Sequence, residues 1–416
     1  MSDPVLHLFE AIGIEIEYMI VDPEHLAVRP IADALMHAKA GAHESEIENG
    51  EIAWSNELAL HVLELKTNGP AATLDGLDAA FQRNVQEINA RLRPLDGTLL
   101  PTAAHPWMDP IAEFQRWPHE YGPVYAALDR IFDCSGHGWA NLQSAHVNLP
   151  FSGNDEFGAL HAAIRVLLPI LPALAASSPI LDGVPSGFLD SRLEAYRTNA
   201  RRMPSVTGSV VPEPVFDMAR YHEEILEPIY RDLAPLDPEG VLRFEWINAR
   251  GCIARFDRNA IEIRVLDTQE YPGADLAIAA ASRAVVRALV EEKLSSHGAQ
   301  RAIGTAQLAH ILGETTRSAD AARIADADYL ALLGWGGGAG CTAGELWRDL
   351  TERVIARDSG ASGAAAALDV ILGEGCLARR ILRRLGQPFG RDALRGVYAE
   401  LAHCLANGEA FRAPLR

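Results

Sequence analysis

Residues 13–22 read GIEIEYMIVD and alternate cleanly. In an extended strand Ile14, Ile16, Tyr18 and Ile20 share one face, and Glu15 and Glu17 share the other. The two carboxylates then stand side by side, about 7 Å apart at roughly 3.3 Å per residue. Similar runs predict strands in LHVLELKT (60–67), QSAHVNLPF (143–151), VLRFEWINAR (241–250) and AIEIRVLD (260–267), with a loop or short strand at LLPTAAHPW (99–107). Helical spacing governs 74–95, where Leu77, Phe81, Val85, Ile88 and Leu92 form one apolar stripe. Helices are also predicted over 156–176, around 218–233 and over 274–294. The Pro-, Gly- and Ser-rich stretch 177–214 predicts a long ordered loop, a common seat of function. From about residue 300 the chain becomes Ala-, Leu- and Arg-rich, with short helical patterns and no alternating run. Residues 1–300 thus form the core, and 301–416 a helical region packed on it as one continuous unit.

The polar faces of the strands carry an unusual set of residues. Glu64 shares a face with Val62 and Lys66, His146 with Asn148, and Glu262 with Arg264; Trp246, Asn248 and Arg250 alternate in the fourth run. Any one strand fits a solvated sheet face. Together they fit it less well, because solvated faces are usually rich in Lys, Thr and Ser, with charges of both signs. Carboxylates on neighbouring strands repel, so such a surface calls for cations. Glu oxygens with a single imidazole suit Mg²⁺ or Mn²⁺ better than zinc. Oxygen-rich Mg²⁺ sites commonly also hold nucleotide phosphates, and an Arg beside the last Glu is a natural phosphate partner. A basic concentration lies in DSRLEAYRTNARR (190–202), with Arg192, Arg197, Arg201 and Arg202. It reads either as a solvated helix face or as a clamp for a carboxylate or phosphate, with Tyr196 and Asn199 able to orient the same ligand. GWGGGAG (334–340) lacks the Lys-Ser/Thr of a phosphate-binding loop and reads as a turn.

Composition narrows the partners. The formal net charge of −19 argues against nucleic acid or an anionic membrane surface and leaves small-molecule substrates. The five widely spaced cysteines, with no C-x-x-C, read as reduced thiols in a cytoplasmic protein. Met1–Phe9 has no basic start or long apolar core of a signal peptide. The most apolar run, 166–177, is too short to span a bilayer and contains Pro169 and Pro172.

Seven segments in order complete the pattern: GIEIEYMIVD, LELKT, AAHPW, AHVNLPF, ASSPILDGVPSGFLDSRLEAY, EWINARG and IEIRVLDTQEYP. Over roughly residues 12–272 the chain resembles the carboxylate–amine ligases related to glutamate–cysteine ligase, whose core is similar to that of glutamine synthetase. The resemblance implies an α+β fold in which a curved, mainly antiparallel sheet forms an active-site funnel with helices outside. It implies ATP as co-substrate and Mg²⁺ or Mn²⁺ in the funnel. Glu15, Glu17, Glu64, His146 and Glu262 match metal-binding positions, and Glu57 a further acidic one. Arg264 matches the Arg on the transferring phosphoryl group, and Arg192 resembles the Arg that holds the carboxylate of the amino-acid substrate. Tyr196, Asn148, Asn248 and Arg250 are further candidate substrate contacts. The implied reaction phosphorylates a carboxylate and lets an amine displace phosphate; it requires no protein nucleophile, so the chain's own cysteines need no catalytic role. His146-Val147-Asn148, where short ligases of this group often carry His-x-His, leans toward glutamate and cysteine as substrates. Alternatives are a ligase with another amine or acid, a metal-dependent hydrolase or phosphotransferase, and a binding protein that retains the fold.

Overall fold

The computed structural model describes residues 5–413, so part of the Met1–Phe9 stretch lies outside the described residues. The strands, in chain order, are β1 (Gly13–Val21), β2 (Glu46–Asn49), β3 (Ile52–Asn56), β4 (Val62–Thr67), β5 (Thr98–Leu100), β6 (Ser144–Pro150), β7 (Ile180–Leu181), β8 (Val184–Pro185), β9 (Cys252–Arg255) and β10 (Ala260–Asp267). β7 and β8 pair only with each other. The other eight form one antiparallel sheet in the order β2-β3-β4-β1-β6-β10-β9, with β5 added beside β1. One edge of β1 is shared out: β6 takes residues 13–16 and β5 takes 19–21.

The alternation has the expected consequence for packing. Ile14, Ile16, Tyr18 and Ile20 join Trp54, Leu63, Leu65, Val147, Leu149, Ile261 and Ile263 in a continuous core. The helices Leu77–Leu92, Gly153–Leu167 and Pro272–Val290 cover it, and each fully buried aliphatic side chain contributes about 1.5–3 kcal/mol. The other sheet face is divided along its length. Beyond Glu17 it turns apolar, and Met19, Val21 and Leu100 pack under the helices Leu377–Leu385 and Arg391–Asn407 through Leu377, Ile381, Tyr398 and Leu401. The C-terminal helices therefore floor the sheet, and the acidic part of the same face stays free of them.

Three expectations need correction. Residues 241–250 are not a strand. Their backbone closes local turns, with Ile247 N–H donating to the Phe244 carbonyl at 3.2 Å and Asn248 N–H to the Glu245 carbonyl at 3.1 Å, and a 3₁₀ turn occupies Glu245–Ile247. The strand begins only at Cys252. The helix expected over 156–176 ends at Leu167 and continues as a 3₁₀ turn and a short helix, because Pro169 and Pro172 supply no N–H donor. The stretch 177–214 is not wholly loop: Asp190 accepts a hydrogen bond from Leu193 N–H at 2.8 Å and caps a helix over Ser191–Asn199. Between His297 and Asn407 the chain is mainly helical, with one small pairing of β11 (Arg323–Ile324) and β12 (Cys341–Thr342) across the GWGGGAG turn. Among the described residues no helix is long and apolar enough to cross a membrane.

Candidate active site

Strand register sets the acidic side chains in rows. Glu17 lies directly opposite Glu64, which in turn lies opposite Ser55. Two residues along β1, Glu15 stands between Lys66 on β4 and His146 on β6. In the next row Glu262 lies opposite Asn148. Glu57 enters from the turn that follows β3. Two sets of donors converge: Glu15, Glu64 and His146, and Glu17, Glu57 and Glu64, with donor atoms within 4.8 Å of one another in each set. Glu64 belongs to both.

The electrostatics record the crowding. Burial, and then the charge of Glu15, push the Glu64 carboxyl up to about 7, against Lys66 and the Ser55 hydroxyl. Burial together with Glu17 and Glu64 holds Glu57 well above the usual carboxylate range. Burial also raises Glu17, although His146 and the Ser144 N–H, which donates to Oε2 at 2.7 Å, oppose it. On Glu15 burial and Glu262 act upward, but the hydrogen bond and charge of His146 outweigh them and lower its pKa. Burial alone would neutralise His146; Glu15 at 2.9 Å from Nδ1 and Glu262 at 3.7 Å hold its pKa up instead. Asn148 donates to Glu15 Oε1 at 3.1 Å while its own buried Oδ1 has no partner among the described residues. Like-charged oxygens at this spacing, one imidazole and an unpartnered amide oxygen fit an oxygen-preferring divalent cation.

Beside the acidic rows lies a cluster of arginines. Both oxygens of Glu262 are occupied, Oε1 by Arg264 Nε at 2.6 Å and Oε2 by Arg255 Nη1 at 3.0 Å. Although burial works upward, Arg264, His146 and Arg255 pull this carboxyl down to about 2. Glu262 falls in neither converging donor set and anchors the arginines. Arg264 also reaches the carbonyls of Trp246 and Asn248, each at 3.4 Å. Arg192 is buried; its Nε donates to Asp267 Oδ1 at 2.6 Å and its Nη2 to the Arg264 carbonyl at 3.3 Å. Tyr196 is half-buried beside both guanidiniums, its buried hydroxyl facing Arg264 without a well-formed hydrogen bond among the described residues.

Not every candidate comes to this place. Asn248 donates to the Tyr221 hydroxyl at 2.9 Å, and Arg250 grips Glu213 with two bonds of 2.6 and 2.7 Å, so these side chains brace the 205–221 segment instead. Of the basic run only Arg192 turns inward; Arg197 pairs with Glu194 on the exposed helix face. Three site residues escaped the sequence reading. Arg255 is the diagonal neighbour of Glu262, since Ile253 is its register partner. Asp267 receives Arg192 as well as Ser177 N–H and Ser178 Oγ–H at 2.9 and 2.8 Å. Ser144 holds Glu17. The alternation of IARF and IEIRVLD could have flagged Arg255 and Asp267; nothing marks Ser144 but its place at the start of β6.

The sheet, the converging carboxylates and the anchored arginines suit divalent cations held beside a phosphoryl group. Comparison with known proteins narrows the class. Residues 11–400 match the family described as glutamate–cysteine ligase family 2. An uncharacterised protein of Archaeoglobus fulgidus is 38% identical over 282 residues, covering 68% of this chain and 75% of that one. A protein of Rubrobacter xylanophilus with the provisional name glutamate–cysteine ligase 2-3 is 28% identical over 291 residues, covering 67% and 70%. The crystal structure of the Francisella tularensis glutamate–cysteine ligase in complex with AMP superposes with a TM-score of 0.60 at 12% identity, over 95% of this chain and 89% of that one, and shares the fold. The chain belongs to glutamate–cysteine ligase family 2.

Proposed function

We propose that the protein joins the γ-carboxylate of L-glutamate to the amine of L-cysteine through an acyl phosphate, at the expense of ATP. One observation carries the reading: Arg264, fixed by Glu262, lies beside converging carboxylates of which Glu17 and Glu57 form no ion pair among the described residues and Glu15 and Glu64 only loose ones of 3.8 Å to Arg258 and Lys66, with His146 in contact with both Glu15 and Glu262. Glu15, Glu17, Glu57, Glu64 and His146 would hold Mg²⁺ or Mn²⁺, which neutralises charge on the β- and γ-phosphates. The substrate carboxylate attacks the γ-phosphorus and ADP departs; the amine then attacks the acyl carbon, phosphate departs and the nitrogen gives up a proton. Arg264, always charged and held in one orientation, stabilises the phosphoryl group in transit. Arg192 keeps its Nη1 without a bond among the described residues, which suits it to the carboxylate of the amino acid. Tyr196 lies beside that position, and Asn148 stands farther along β6 against Glu15. Glu262 acts through Arg264 and is a positioning residue.

The test is ADP and phosphate release by purified protein with ATP, Mg²⁺ and L-glutamate, with and without L-cysteine, followed by mass analysis of the product. Cysteine-dependent release with the mass of γ-glutamylcysteine is expected. Release with glutamate but no preference for cysteine keeps the ligase and assigns another amine. Hydrolytic activity that needs no ATP overturns the proposal.

A further inference from the structure

A third set of metal-type donors lies outside the funnel and has different chemistry. Asp33, His43 and His119 each offer a donor atom within 4.8 Å of the others. They come from three segments: the first turn of the helix Ala32–Ala40, the loop after it, and the stretch after Trp117. His119 Nε2 lies 3.2 Å from Asp33 Oδ2. The His43 ring stacks on His119 with centroids 4.1 Å apart and planes at 15°. His37 is one turn beyond Asp33 on the same helix face, its ring 4.8 Å from that of His43.

We propose that Asp33, His43 and His119 form a Zn²⁺ site, with His37 placed to complete it. Two imidazoles and one carboxylate are a borderline donor set that suits Zn²⁺ and disfavours Mg²⁺, the opposite of the glutamate rows. Tetrahedral Zn²⁺ with bonds of about 2.1 Å needs donors about 3.4 Å apart, so the cluster must tighten by roughly 1 Å and the His43 ring must turn out of its stack on His119, because imidazole lone pairs lie in the ring plane. The loop carrying His43 can supply that movement. Residues 41–44 are exposed, and the loop opens at Gly41, whose φ of 79° ends the helix in the left-handed region.

The location gives the site a role. Both anchoring segments are laced to the turn that carries Glu57. Ala32 N–H donates to the Leu60 carbonyl at 2.9 Å, Leu60 N–H to the Gln115 carbonyl at 2.8 Å, and Trp117 N–H to the Leu58 carbonyl at 3.0 Å. A cation bridging Asp33 and His119 staples the two outer segments across residues 58–60 and stiffens the approach of Glu57. None of this depends on which acid or amine is ligated.

The experiment titrates the intact protein with Zn²⁺ in excess Mg²⁺, which keeps the glutamate rows occupied. Binding is followed by calorimetry, and amide hydrogen exchange is measured over 41–45 and 115–120. One equivalent is expected to bind and to slow exchange in both segments. His43→Ala and His119→Ala are each expected to weaken binding by at least ~10-fold, since even the loss of a group supporting a ligand costs 10- to 100-fold. His43 is exposed, so H43A should leave the metal-free unfolding midpoint unchanged and decides the matter alone if H119A does not fold. Absence of Zn²⁺ binding in excess Mg²⁺, or equal affinity in wild type and H43A, overturns the proposal.

Discussion

Glu64→Gln offers the sharpest test of the acidic rows, because it separates stability from metal binding. Glu64 is buried opposite Glu17, and its pKa rises on folding from an ordinary 4.5 to about 7 through burial first and Glu15 second. An acid whose pKa rises on folding keeps its proton in the native state after the unfolded chain has released it. Metal-free stability therefore falls as pH rises from about 4.5 to about 7, and the cost is complete above that. At 1.36 kcal/mol per pH unit the ceiling is about 3 kcal/mol, and proton sharing with Glu17 and Glu57 brings the expectation to the order of 1–3 kcal/mol. Gln has nearly the same shape, and its carbonyl can still accept the Ser55 hydroxyl, which lies 2.6 Å from Glu64 Oε1. In EDTA at pH 8 the variant should be more stable than wild type by that amount, and near pH 4.5 the difference should vanish. In excess Mg²⁺ the order should reverse, because only the wild type gains full native-state binding energy. Urea titrations followed by tryptophan emission read this out, with the buried Trp54 on neighbouring β3 as a local reporter. A variant less stable than wild type in EDTA at pH 8 would refute the claim that these carboxylates await a cation.

Arg264→Lys keeps the charge and loses the fork, so kcat should fall about 10²- to 10³-fold with little change in the KM for ATP, as steady-state kinetics will show. Asp267→Asn removes the charge that holds Arg192 and should raise the KM for the acid substrate far more than that for ATP; equal changes in both would contradict the carboxylate clamp. Arg380→Met leaves the buried Glu270 without its cation, a pair 2.5 Å apart, and should cost about 3–5 kcal/mol, with faster hydrogen exchange over 377–407 as the signature.

β1, β4, β6 and β10 were legible because each buries one face on the core and presents the other to the funnel, which forces a period of two. The run FEWINAR carries a similar alternation for another reason. Asn248 and Arg250 are polar because they satisfy Tyr221 and Glu213, partners far away in sequence, while the backbone turns locally. Periodicity cannot tell a ladder from a braced turn. Glu15, Glu17 and Glu64 announced themselves as like charges on neighbouring strands, and Glu57 came only through the resemblance. The arginine anchor of Glu262 did not show, because Arg255 meets it on the diagonal, at a register that only pairing with β9 sets. The flooring of the sheet by the last helices was equally hidden: Met19 and Val21 read as ordinary strand apolars, and their cover lies more than 350 residues away.

Four consecutive residues at the end of β10 and just beyond it tie the molecule together. Asp267 holds Arg192, Thr268 Oγ–H donates to the Glu17 carbonyl at 3.1 Å, Gln269 donates to the Ala175 carbonyl at 2.6 Å, and Glu270 holds Arg380 and the Phe411 N–H. In the order of synthesis the last of these partners emerges well over a hundred residues after the knot itself. A nascent chain that has not reached Arg380 has no cation for Glu270, three residues from the Asp267 that holds Arg192. A ribosome stalled before residue 380 would therefore display a sheet whose acidic rows are present but whose tie to the last helices is not yet made.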